Sequence, residues 1–146
     1  MKFDISYTFD AIPRLLEGAL ITMQVAILGF ILSVLLATTI TIARTSLKSK
    51  IFNFIIAFYI SFIRGTPILV QIFLIYYVLP VFGLNLGPFT AGILAITLNS
   101  AAFVTEILRG GLASVPTGQF EAAKSLGISG IALWRNCLLY TSDAAD

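Results

Sequence analysis

Two long stretches of this chain carry no charge at all, residues 18–43 and residues 65–105. That gap pattern limits the solvents in which the chain can fold. Only 11% of the residues are charged and 58% are hydrophobic, where soluble domains carry about a quarter charged. Mean hydropathy is +0.99. Twelve Phe and five Tyr in 146 residues would overfill a soluble core of this size. Hydrocarbon tolerates such stretches, because about 20 apolar residues cross a bilayer core. The chain is therefore read as an all-α, polytopic integral membrane protein.

Several function classes fall away on composition. The single cysteine, Cys137, permits no internal disulfide. Histidine is absent, which removes the commonest metal ligand and the usual general base. No G-x-x-x-x-G-K-[ST] or G-x-S-x-G motif occurs. No catalytic residue and no metal site are expected, and the chain is not read as an enzyme by itself. The net charge of +2 includes no basic cluster beyond Lys48 and Lys50, so nucleic acid is not an expected partner. The first apolar run, residues 20–42, follows Asp4, Asp10 and Glu17. It is too long, and its approach too acidic, for a signal peptide.

Three spans are expected, at about residues 18–43, 52–79 and 89–108. The middle one is interrupted by Arg64, Gly65, Thr66 and Pro67. The 13 residues before Arg64 are too few to cross alone. Either the stretch is one helix kinked at Gly65 and Pro67, or its first half lies along the surface and the crossing starts at Pro67. Small residues favour the kinked helix: Asn53, Ala57, Ser61 and Gly65 recur every four positions, a face that lets helices approach closely. The first span carries a similar stripe in Thr22, Ala26, Gly29, Ser33, Ala37 and Thr41, and the third has Ala91, Ala95 and Ala102.

Arg44, Lys48 and Lys50 gather after the first span, and Arg109, Lys124 and Arg135 follow the third. The loop at residues 82–88 has no basic residue. The positive-inside rule then places residues 44–50, and those after about 109, in the cytoplasm. Residues 1–17 become an extracytoplasmic segment.

Beyond the third span the sequence turns polar and small-residued, "GQFEAAKSLGIS" at 118–129. A short helix from about 117 to 126 would place Phe120 and Ala123 on one face, with Glu121 and Lys124 beside it. Gly127 suits the residue that ends such a helix. A plain surface connector would read the same way.

Here the chain resembles a known family. "EAAKSLG" is similar to the EAA signature of ATP-binding-cassette importer permeases. "LLEGALITMQVAILGF" at 15–30, "FIRGTPILVQIFLIYYVLP" at 62–80 and "NSAAFVTEILRGGLASVPTGQFEAAKSLG" at 99–127 resemble its polar amino acid uptake branch. The resemblance implies a type I importer permease domain over 18–136. The EAA segment would be a cytoplasmic coupling helix seated on a separate ATPase subunit. Glu121 would meet a basic residue there, Ala122 and Ala123 would keep the docking face low, and Gly127 would give the turn. It also implies a second permease subunit and an extracytoplasmic solute-binding protein in a bacterial cytoplasmic membrane. The chain has no cofactor of its own, and the partner ATPase binds ATP. The family pattern continues after Gly127 toward Leu-Pro and further spans. Here Cys137 and Tyr140 depart from it, and "TSDAAD" follows. The expectation is an N-terminal fragment of a permease with a non-native tail at 137–146.

Four polar residues are candidates for a translocation path: Thr66, Gln71, Asn99 and Ser100. Interhelical hydrogen bonding is the more ordinary explanation of Asn99 and Ser100. Arg64 is either a functional buried charge or an interfacial anchor. Glu106 and Arg109, three apart, can pair on one helix face. The leading function is a permease subunit of an ATP-driven polar amino acid importer. A permease for another small solute, an ATP-independent channel or secondary transporter, and a non-transporting assembly module are the alternatives. Scarce intramembrane acidic residues argue against ion coupling.

Overall fold

The computed structural model describes residues 5–47, 49–116, 118, 121 and 125–127. The order is α1 (Ile5–Leu47), α2 (Lys50–Gly65), α3 (Ile68–Phe73), a π-helical turn Leu74–Val78, a 3₁₀ turn Leu79–Phe82 and α4 (Pro88–Ser114). No strand occurs among the described residues. Two segments, Ala11–Leu47 and Pro88–Ser114, are long and apolar enough to cross a membrane alone. A third crossing is available if α2 and the helical stretch after Pro67 count as one broken span.

The first and last helices cover the expected spans and overrun them, α1 beginning at Ile5 and α4 continuing to Ser114. The hydroxyls inside α1 are satisfied locally. Thr22, Thr38, Thr39, Thr41 and Thr45 each donate to the carbonyl four residues earlier at 2.7–3.1 Å, so they can lie in an apolar helix without a water partner. Ser49 caps α2 by accepting from the Phe52 amide at 3.4 Å. Gly83, at φ +86°, ends the 3₁₀ turn in a left-handed conformation suited to glycine. Pro88 opens α4 at a position where no helical donor is needed.

α1 and α4 form the main contact, and they run parallel. Val25 faces Gly92, Gly29 lies against Ile96, and Arg44 reaches Glu106. Two parallel helices require the chain between them to travel back from one end of the pair to the other. Residues 48–87 make that return. The interface is built of small residues: Gly29, Ser33, Ala37 and Thr41 on α1, and Thr97, Ala101 and Thr105 on α4, are all buried. Such residues let two backbones come close, where dispersion contacts supply the association that lipid does not.

The structure corrects the sequence reading in three places. The α1 stripe is shorter than expected, because Thr22 and Ala26 are exposed and packing begins near Gly29. Within this chain the small face of α2 is not the face that meets α4. Ala57, Ser61 and Gly65 are exposed, while Ile60 and Ile63 are buried against Ala102, with Ile56 and Tyr59 beside them. The middle span also turns by 110° between Lys50–Gly65 and Ile68–Phe82, far more than a kink. The cause is local. Thr66 and Pro67 are both extended (ψ 139°), as expected for a residue that precedes proline and for proline outside a helix. Two extended residues uncouple the helices on either side.

Candidate functional site

The break at Thr66–Pro67 brings three polar side chains of the apolar region together. Proline has no amide hydrogen, and the turn frees carbonyls that hydrocarbon cannot satisfy. Gln71, one turn beyond, supplies the donors. Its Nε2 lies 2.9 Å from Ile63 O, 3.1 Å from Thr66 O and 2.8 Å from Thr66 Oγ1. Thr66 Oγ1 donates in turn to Phe62 O at 3.0 Å. Across the interface Asn99 Nδ2 donates to Gln71 Oε1 at 3.1 Å. Thr66, Gln71 and Asn99 therefore form one connected group. Ser100 is half-buried on the neighbouring position of α4 and makes no side-chain bond within it.

On either side of this group α4 receives different neighbours. Tyr59 Oη donates to Leu98 O at 2.6 Å, and Ile60 and Ile63 pack on Ala102. Ile75 in the π-helical turn packs on Ala91 and Ala95. Arg64 is exposed, with its guanidinium carbon 5.4 Å from the centre of the Phe103 ring, a cation–π placement.

A second polar group joins the ends of three helices. Glu106 accepts two bonds from Arg109, at 3.0 Å from Nε and 2.8 Å from Nη2, as the three-residue spacing allows. Glu106 Oε1 also lies 3.7 Å from Arg44 Nη1, and Arg44 Nε donates to Asn53 at 3.4 Å. Sequence reasoning missed this role of Arg44 and assigned it to orientation alone, because the pairing crosses three helices and has no local signal. Arg44, Arg64, Ser61, Gly65 and Glu106 line an open cavity of about 440 Å³.

Of the EAA segment, Gly118, Glu121 and Ser125 are helical, and Leu126 and Gly127 form a turn. Glu121 is exposed, its carbonyl accepts from Ser125 Oγ at 3.0 Å, and Gly127 has φ +70°. Ala122 and Ala123, like the tail at 137–146, lie outside the described residues. No cluster of His, Cys, Asp or Glu among the described residues is placed to hold a metal ion.

Two parallel apolar helices and a broken one between them are long and apolar enough to supply two or three membrane spans. Residues 29–139 match the family described as the binding-protein-dependent transport system inner membrane component, and the chain belongs to that family. The L-cystine transport system permease TcyB of Bacillus subtilis is 40% identical over 117 residues, covering 80% of this chain and 50% of that protein. The B. subtilis arginine transport permease ArtQ is 36% identical, covering 95% and 64%. The glutamine transport permease GlnP of Escherichia coli K12 is 40% identical, covering 88% and 59%. A crystal structure of an amino acid ABC transporter with histidines superposes with a TM-score of 0.78 at 38% identity, over 93% of this chain and 63% of that one. The chain thus spans between half and two thirds of the length of these relatives.

Proposed function

We propose that this chain is a membrane permease subunit of an ATP-driven importer of polar amino acids. One observation carries the reading: relatives named for cystine, arginine and glutamine each match most of the chain at 36–40% identity. These solutes share an ammonium and a carboxylate and differ in side chain, so the class follows while the particular amino acid does not. The permease provides the path through the membrane, with Thr66, Gln71, Asn99 and Ser100 bordering it at the helix break. It binds no nucleotide. ATP is bound by an ATPase subunit that seats on the segment containing Glu121, Ala122, Ala123 and Gly127. A solute-binding protein delivers the amino acid from outside, and a second permease subunit completes the path. An importer of another small solute shares these parts and differs only in the pocket.

Reconstitution tests this. With its ATPase and binding protein in vesicles, the chain should accumulate at least one of labelled cystine, arginine or glutamine only when ATP is present on the cytoplasmic side. Uptake that persists without ATP and collapses with an ionophore would favour the ATP-independent channel or secondary transporter.

The orientation has its own check. In intact cells a cysteine at Ser49 should resist a membrane-impermeant thiol reagent, and one at Asn85 should react, because basic residues flank the first site and none lies in the second loop. Labelling at position 49 from outside would reverse the topology.

A further inference from the structure

Gln71 is only 4% exposed, and both ends of its amide are engaged. Carbonyl oxygens can only accept hydrogen bonds. Two of them, on Ile63 and Thr66, lie on one side of the Gln71 amide, at 2.9 and 3.1 Å. They force the nitrogen to that side and the oxygen to the other. The oxygen then demands a donor, and Asn99 must present its nitrogen at 3.1 Å. The orientation of both side chains is thus dictated by the broken backbone. The other bonds reaching Ile63 O, from the Thr66 amide and hydroxyl, are both long at 3.4 Å. Gln71 is the best-placed donor for a carbonyl that apolar surroundings would otherwise leave bare.

Asn99 belongs to α4, which continues unbroken to Ser114, a rod of about 22 Å beyond Asn99 at 1.5 Å per residue. The EAA segment follows it in the chain. We propose that Gln71 is a positioning residue that joins α4 to the helix break, so that displacement at the C-terminal end of α4 carries Thr66 and Pro67 with it. The proposal rests on the transport reading above. α4 is stiff, whereas the helical ladder is interrupted at the break: the Thr66 amide reaches Ile63 O only at 3.4 Å, and Pro67 has no amide hydrogen to donate. A bond from the rod to the residue that clamps the Ile63 and Thr66 carbonyls is a direct polar link between them, beside the apolar contacts of Ile63 and Ile75 with α4.

The test is a four-protein cycle in the assembled transporter: wild type, Asn99→Asp, Gln71→Lys and the double variant. Asn99→Asp replaces the donor facing Gln71 Oε1 by an acceptor. Gln71→Lys keeps donors toward the carbonyls but removes the acceptor and leaves a buried charge. In the double variant the ammonium can serve the Ile63 and Thr66 carbonyls and the new carboxylate together. Each single variant should raise the ATP hydrolysed per amino acid transported, normalised to intact complex, by about tenfold, and the double should recover most of it. Thermal unfolding of the same four proteins should be non-additive in the same sense. Singles that lower the yield of complex but keep a wild-type ratio of ATP to solute would reduce Gln71 to a packing residue and overturn the proposal. So would a double variant no better than the sum of its parts. If the wild type itself moves no amino acid, the transport reading fails. The unfolding cycle then still decides the pair, and additivity there also overturns the proposal.

Discussion

Replacing Glu121 by lysine is expected to weaken binding of the ATPase subunit by about 30-fold or more and to abolish solute-stimulated ATP hydrolysis. Glu121 is exposed and helical, and its main-chain carbonyl accepts from Ser125 Oγ. If the carboxylate meets a cation of the ATPase, the reversal removes one partner of a charge pair and leaves the other facing a like charge. Losing one partner of a partly desolvated pair costs about 2–5 kcal/mol, and each 1.4 kcal/mol is about a decade in affinity. Membrane insertion should be unchanged, because Glu121 lies beyond α4. Gly127→Val should reduce coupling for a different reason. At φ +70° a β-branched residue is strained, so the turn would reshape without any change in charge. Gly118→Ala, where an added Cβ meets nothing within 4 Å, is the control. Co-purification of the ATPase and solute-stimulated hydrolysis in vesicles measure both effects. If Glu121→Lys keeps both at wild-type levels, the segment is a passive connector, and the coupling role assigned to it fails.

What the sequence made legible was what depends on composition and short spacing. The charge-free stretches located α1 and α4, and Ala91, Ala95 and Ala102 are buried as their spacing suggested. The interruption at residues 64–67 marked the break in the middle span. Its size was not legible, because a proline in a helical pattern reads as a kink until the residue before it also leaves the helical region. Thr66 does leave it, and the bend becomes 110°. Which face of α2 meets α4 was not legible for a related reason. Spacing shows that a face can pack closely, but not which face a neighbour meets. Tyr59, Ile60 and Ile63, not Ala57 and Ser61, were turned toward α4. At the candidate site, Thr66, Gln71 and Asn99 stood out as polar residues in apolar surroundings. Nothing in their separation of 28 positions between Gln71 and Asn99 announced that they bond one another.

Gly29→Ala is expected to destabilise the α1–α4 pair by about 1–3 kcal/mol, the usual range for forcing extra volume into a packed interface. An added Cβ there would lie 2.7 Å from Ile96 Cγ2 and 3.1 Å from Ile96 Cβ. Neither atom is the free end of a flexible chain. Isoleucine is branched at Cβ, and in a helix its χ1 has one strongly preferred setting, so the side chain cannot swing aside cheaply. The helices must separate instead, and separation weakens the small-residue contacts of Ser33, Ala37, Ala101 and Thr105, which lipid does not replace with a hydrophobic driving force. Gly29→Val should be worse, since the backbone must also accommodate two γ-carbons. Gly92 lies on the same interface and is the discriminating comparison. A Cβ at Gly92 would sit 3.7 Å from Val25 Cγ1, an ordinary contact. Gly92→Ala should therefore be neutral or slightly stabilising, because alanine is the better helix former by about 0.8–1 kcal/mol. Thermal unfolding of the purified transporter in detergent, followed by loss of monodispersity, reads the difference. Ile96→Ala should partly restore the Gly29→Ala protein by removing the nearer of the two atoms. Equal effects at Gly29 and Gly92, or no recovery with Ile96→Ala, would mean that α1 and α4 do not meet in this register.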